Sequence, residues 1–127
     1  DRQVELCFAL WGATTNGHVA CVEALLRTEV DLEYSDNEGF TALLWAAEMG
    51  QLEVLRLLLA AGANVNAQSA RGATALILAA EGEGADEQQR SVAMLRALLD
   101  AGADPNLQDE QGASALMWAL DRGRGEA

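Results

Sequence analysis

The sequence predicts an all-α solenoid of stacked helix-turn-helix units joined by β-turn or hairpin loops. Three observations predict it. Glycines recur on a fixed ruler, since Gly17 to Gly50 and Gly39 to Gly72 are both shifts of 33 residues. At that shift Thr41 falls on Thr74, Leu43 on Leu76 and Ala46-Ala47 on Ala79-Ala80. A further shift of 40 carries Thr74 to Ser114, Leu76 to Leu116, Gly62-Ala63 to Gly102-Ala103 and Asn66 to Asn106. Self-similarity at such a period marks units that bury their apolar faces only by stacking on neighbours. The 127 residues are read as one domain, residues 1–127, with units at 3–35, 36–68, 69–108 and a partial last unit at 109–127. The third unit carries a seven-residue insertion, the difference between the two shifts.

The units share one local logic. Gly39, Gly72 and Gly112 sit in tight turns where a positive φ costs glycine nothing. Thr41, Thr74 and Ser114 follow two residues later as N-caps of a short first helix (LLWAA, LILAA or LMWAL). Such a helix, apolar nearly all round, belongs between two neighbours. In the second helix, positions 52, 54, 55, 58 and 59 are apolar with Arg56 between them, a helical rather than an alternating pattern. Gly62 and Gly102 lie just past its end, where a left-handed C-cap is expected.

The first unit departs from this scheme. Leu6 stands at the turn glycine, so its first helix is expected to begin early, near Gln3. Glu29 stands at the C-cap glycine, and a left-handed Glu would cost roughly 1–2 kcal/mol, so the second helix should end by another device. In the third unit Asp86 reads as an N-cap with Gln89 as its capping-box partner, opening a long helix from about Glu87 to Asp100. The insertion, within residues 82–91, is either a tolerated surface insertion or a lip on a binding groove. The last unit has a first helix and no second, leaving Met117, Trp118 and Leu120 at an open end. The absent initiator Met and this stump lead us to expect a longer protein.

The sequence resembles the ankyrin repeat from Gln3 to about Gly123. The family's helix start, second helix and closing loop read here as Thr41-Ala-Leu-Leu-Trp-Ala-Ala, Gly50-Gln-Leu-Glu-Val-Leu-Arg-Leu-Leu-Leu and Gly62-Ala-Asn-Val-Asn-Ala. The family's proline is replaced by Ala42, Ala75 and Ala115, and its histidine by Trp11, Leu44, Ile77 and Met117. Apolar packing must therefore substitute for the hydrogen bonds that histidine would make.

Little chemistry is encoded. The formal charge of −12 argues against nucleic acid and anionic membranes as partners. No apolar run approaches the roughly 18 residues needed to span a bilayer. Two cysteines make no disulfide scaffold, and Cys7 and Cys21 read as buried or half-buried thiols in a reducing, cytoplasmic compartment. His18, the single histidine, reads as structural, and no metal, cofactor or catalytic set is found. Trp11, Trp45 and Trp118 read as packing between adjacent units.

The function expected from the resemblance is protein binding on a concave face built from turn tips and the exposed ends of first helices. By repeat position this face holds Thr15 and Asn16, then Asn37, Glu38, Phe40, Glu48 and Met49. It continues with Ala70, Arg71, Ala73 and Glu81, then Glu110, Gln111, Ala113, Asp121 and Arg122. Acids outnumber Arg71 and Arg122 there, so a basic partner surface is expected. Phe40 and Met49 are expected as an exposed apolar pair among Glu38, Glu48 and Glu81. The alternative is a regulatory domain of a larger enzyme or signalling protein, whether monomeric or part of a longer chain. The resemblance further implies Asn66 and Asn106 as candidate hydroxylation sites, with Leu58 and Leu98 eight residues before them.

Overall fold

The computed structural model describes residues 2–80, 85–110 and 112. Six helices lie among the described residues: α1 Arg2–Asn16, α2 Val19–Leu26, α3 Ala42–Glu48, α4 Leu52–Ala60, α5 Ala75–Ala80 and α6 Ala85–Asp100. Among the described residues there is no strand, only an isolated bridge at Gln108. The helices pair as α1/α2, α3/α4 and α5/α6. First helices pack in one row, α1 on α3 on α5, and second helices in another, α2 on α4 on α6.

Burial follows from this two-row stack. In α5, whose six residues are all apolar, every residue is buried. In α3 only Trp45 and Glu48 escape full burial. α4 buries Val54, Leu55 and Leu58, whereas Arg56 is exposed and pairs with Glu53 at 3.3 Å. α1 buries Cys7, Leu10, Ala13 and Thr14, a stripe at helical spacing. Each fully buried Leu contributes about 1.5–3 kcal/mol, so the core is held by many such side chains shared across helix pairs.

The ends of the helices are set by glycine and threonine. Thr41 caps α3 by accepting from the Leu44 N–H (3.4 Å), and Thr74 caps α5 by accepting from the Ile77 N–H (3.1 Å). α4 closes with Gly62 at φ 93°, whose N–H donates to Leu59 O while the Ala63 N–H donates to Leu58 O. These crossed bonds satisfy two carbonyls the helix leaves open. α6 repeats the arrangement at Gly102 and Ala103, and α1 and α3 do so at Gly17 and Gly50.

The first pair shows the expected departures. α1 begins at Arg2, and α2 ends at Leu26 with no left-handed residue. The Thr28 hydroxyl and N–H both donate to the Leu25 carbonyl instead. Gln3 bridges this loop to α1, donating to Glu29 O and accepting from the Asp31 N–H. Three expectations are corrected. α6 begins at Ala85, so Asp86 lies inside the helix rather than at its cap. Cys7 is buried, but Cys21 is exposed because it lies on the outward side of α2. Trp45 packs within its own pair rather than between pairs: its ring lies 5.0 Å from Phe40 and its indole N–H donates to Asp36 Oδ2 (3.0 Å). Ser114, Met117, Trp118 and Leu120 lie outside the described residues.

Candidate functional site

Among the described residues three turn tips are present, at residues 36–40, at 69–73 and at Asp109, Glu110 and Gly112. Each tip closes on a glycine: the Gly39 N–H donates to Asp36 O, that of Gly72 to Ser69 O and that of Gly112 to Asp109 O. The first residue of a tip also braces it from within. Asp36 Oδ1 accepts from the N–H groups of Glu38 and Phe40, and Ser69 Oγ accepts from those of Arg71 and Ala73. Short polar side chains suit this role because they reach backbone two residues on.

Adjacent tips are tied by single backbone bonds. The Ala70 N–H donates to Glu38 O (2.9 Å), and the Glu110 N–H donates to Arg71 O (2.7 Å). Gln68 adds a link, donating from Nε2 to Gly72 O and Gln108 O. The closing loops of the second helices form a parallel series. Glu33 Oε2 accepts from the Asn64 N–H (2.9 Å), and one pair further on Asn66 Oδ1 accepts from the Asp104 N–H (2.8 Å).

The tips enclose a groove of about 550 Å³. Phe40, Ala73 and Leu78 supply apolar lining, and Asn37, Glu38, Ala70, Arg71 and Glu110 supply polar and backbone lining. Ser69 and Asp109 complete it. Asn37, Glu38, Phe40, Ala70, Arg71, Ala73 and Glu110 therefore meet in one place. Ser69, Asp109 and Leu78 were missed, although the register could have found them: Ser69 and Asp109 repeat Asp36, and Leu78 repeats Trp45.

The other expected residues lie apart. Thr15 and Asn16 end α1 and bond back to Gly12 O through their side chains, while Thr15 O accepts from Gln51 Nε2 (3.3 Å). Glu48 and Met49 end α3, exposed, and do not line the groove. The expected exposed Phe40–Met49 pair is not formed. Met49 is 46% exposed, but Phe40 is half-buried because Trp45 covers it. Glu81, Gln111, Ala113, Asp121 and Arg122 lie outside the described residues. His18 is exposed and its side chain does not cap α2, so the structural role expected for it rests on its backbone alone, whose carbonyl accepts from the Val22 N–H.

Of the candidate modification sites, Asn66 is half-buried and engaged with the next loop, whereas Asn106 is exposed. Burial raises the Cys7 thiol above its ordinary pKa, with the Asp31 carboxylate adding to the rise. Its Sγ donates to Asp31 O (3.6 Å). Among the described residues no cluster of His, Cys, Asp and Glu is arranged to hold a metal, and no helix is long and apolar enough to cross a membrane.

Comparison with known proteins gives matches along the same stretch. A family model described as "Ankyrin repeats (3 copies)" matches residues 3–69, and one described as "Ankyrin repeat" matches residues 71–110. The chain is similar to M-phase phosphoprotein 8 of Homo sapiens, 42% identical over 71 residues, which is 54% of this chain and 8% of that protein. It is also similar to "Ankyrin repeat, SAM and basic leucine zipper domain-containing protein 1" of Loxodonta africana, 37% identical over 76 residues, 60% of this chain and 16% of that one. The chain thus matches only a small part of the length of these relatives.

Proposed function

The chain belongs to the ankyrin-repeat family, and on that premise we propose that it binds a protein partner in the groove between its turn tips. Repeats of this family are in general protein-interaction modules, typically without catalysis. The single observation that carries the reading is the groove itself, shared by successive tips that backbone bonds hold in register. A surface fixed before binding loses little entropy on association.

The partner we propose presents a basic surface. Among the described residues Glu38, Asp109 and Glu110 line the groove with Arg71 as the one cation, in a chain of net charge −12. The acids steer encounter, and Phe40 and Leu78 set the lifetime of the complex. The chain itself is proposed to be non-catalytic and to work in a reducing, intracellular compartment that keeps Cys7 and Cys21 free. Asn106, being exposed, is the more accessible of the two asparagines for modification.

A second reading, a regulatory domain within a longer protein, is favoured by the relatives, in which the matched stretch is 8% and 16% of the whole. One experiment bears on both. Partners captured by the full-length protein are identified by mass spectrometry and their association is then timed. Glu38→Gln with Glu110→Gln is expected to slow association and flatten its salt dependence. Phe40→Ala is expected to speed dissociation, and because Phe40 supports Trp45 it also lowers Tm. Unchanged kinetics in both variants would remove the groove from the interface. Capture only of segments from its own longer chain would favour the regulatory reading.

A further inference from the structure

The ladder of tips has an open rung at its beginning. Ala70 and Glu110 occupy the same place in successive tips, and each donates its N–H to the carbonyl of the tip before, Glu38 O and Arg71 O. Asn37 is their counterpart one unit earlier by the 33-residue shift. Its N–H donates to no backbone carbonyl among the described residues, and Asn37 is exposed. The carbonyl that register would supply belongs to Glu5. Glu5 lies inside α1, where carbonyls bond the helix's own N–H groups, and Leu6 replaces the glycine a turn would need there.

Aromatic surface lies beside this rung. Phe8 is 62% exposed and meets Trp11 edge-on at 5.3 Å, and Trp11 lies 5.9 Å from Tyr34, itself 37% exposed. Tyr34 precedes Asn37 by three residues, which keeps ring-bearing backbone and open amide within about 10 Å. Glu5 and Glu38, both exposed, hold equivalent positions in successive units.

We propose that this end of the tip ladder docks an extended, basic segment of a partner protein. Its backbone carbonyl accepts from the Asn37 N–H and so continues the Glu38–Ala70 and Arg71–Glu110 pairing. Side chains alternate along an extended strand, so one set covers Phe8 and Tyr34 while the other carries positive charge towards Glu5 and Glu38. The site adjoins the groove, sharing Asn37 and Glu38 with it, and is distinguished from it by Phe8, Trp11 and Tyr34, which do not line the groove.

The test uses the full chain and a capped hexapeptide of alternating arginine and valine, followed by amide NMR. Saturable shifts are expected at the Asn37 and Tyr34 amides and at the Trp11 indole, with slowed hydrogen exchange at Asn37. Asn37→Pro removes the donor alone, since position i+1 of the Asp36–Gly39 turn suits proline, and should weaken binding roughly two- to tenfold. Phe8→Ala should weaken it comparably and leave Tm unchanged, giving a second variant if the first unfolds. The proposal is overturned by the absence of saturable binding, by shifts confined to the groove at Arg71 and Glu110, or by undiminished binding in both variants. Concentration-dependent shifts without peptide would assign the rung to a second copy of the chain and overturn it equally. Failure here at Phe8 and Tyr34 leaves the groove reading to its own kinetic test, in which Glu110 and Phe40 lie outside this site.

Discussion

Gly39 carries two constraints at once, and Gly62 carries one. Both have left-handed backbones, at φ 78° and 93°. A Cβ on Gly39 would lie 2.5 Å from the Ala70 N, the atom that ties two tips together, whereas a Cβ on Gly62 would meet nothing within 4 Å. Gly62→Ala should therefore cost only the conformational penalty, about 1–2 kcal/mol, and Gly39→Ala distinctly more. Equal losses on chemical denaturation would refute the role given to close approach. Thr14 is a different kind of residue: fully buried, with a hydroxyl that meets no partner, where Ala47 and Ala80 stand in the next pairs. Desolvating an unsatisfied hydroxyl costs about 1–3 kcal/mol. Thr14→Val keeps the shape and is expected to raise Tm; a lowered Tm would show that the hydroxyl has a role.

At the scale of the element, α1 and α2 hold the two thiols in opposite circumstances. Cys7 points into the core beside Asp31, and Cys21 lies exposed on α2. Alkylation of the native protein should label Cys21 quickly and Cys7 only on unfolding; equal rates would contradict the burial. Because burial raises the Cys7 pKa in the fold, the unfolded chain gives up that proton first as pH rises. The contribution to stability is thus whole below the ordinary thiol range and is lost as pH climbs through it towards the folded value. Cys7→Ala should flatten that alkaline decline. α6 shows how neighbours set exposure. Val92 and Leu99 are each 48% exposed, while their counterparts Leu52 and Leu59 in α4 are half-buried because α6 packs against α4.

For the whole molecule, stability is a property of the interfaces between helix pairs. Leu43, Leu44, Ala46 and Ala47 in α3 are buried with α1 on one side and α5 on the other. Ending the chain at Gln68 strips α5 from α3, α6 from α4 and the Ala70 rung from Glu38. About three stacked units are needed for a stable array, so residues 1–68 are expected to melt broadly and without cooperativity. A sharp, reversible transition of that fragment would show that two pairs suffice.

Local chemistry made much of this legible in the sequence. Gly39, Gly72, Gly62 and Gly102 announce positive φ, Thr41 and Thr74 announce helix starts, and the shift of 33 residues places the tips that line the groove. Even the unusual ending of α2 followed from Glu29, since a residue that cannot turn left-handed cheaply forces another closure. What lay beyond the sequence concerned residues whose surroundings come from elsewhere in the chain. The family resemblance marked Phe40 as exposed, but the Trp45 ring covers it once Asp36 fixes the indole. Cys21 sits in an apolar run, yet it lies on the exposed side of α2. The open Asn37 amide becomes visible only when the tips stand side by side. A repeat fixes each residue's own conformation through near neighbours, whereas exposure and the vacancy of a rung depend on what packs across the stack.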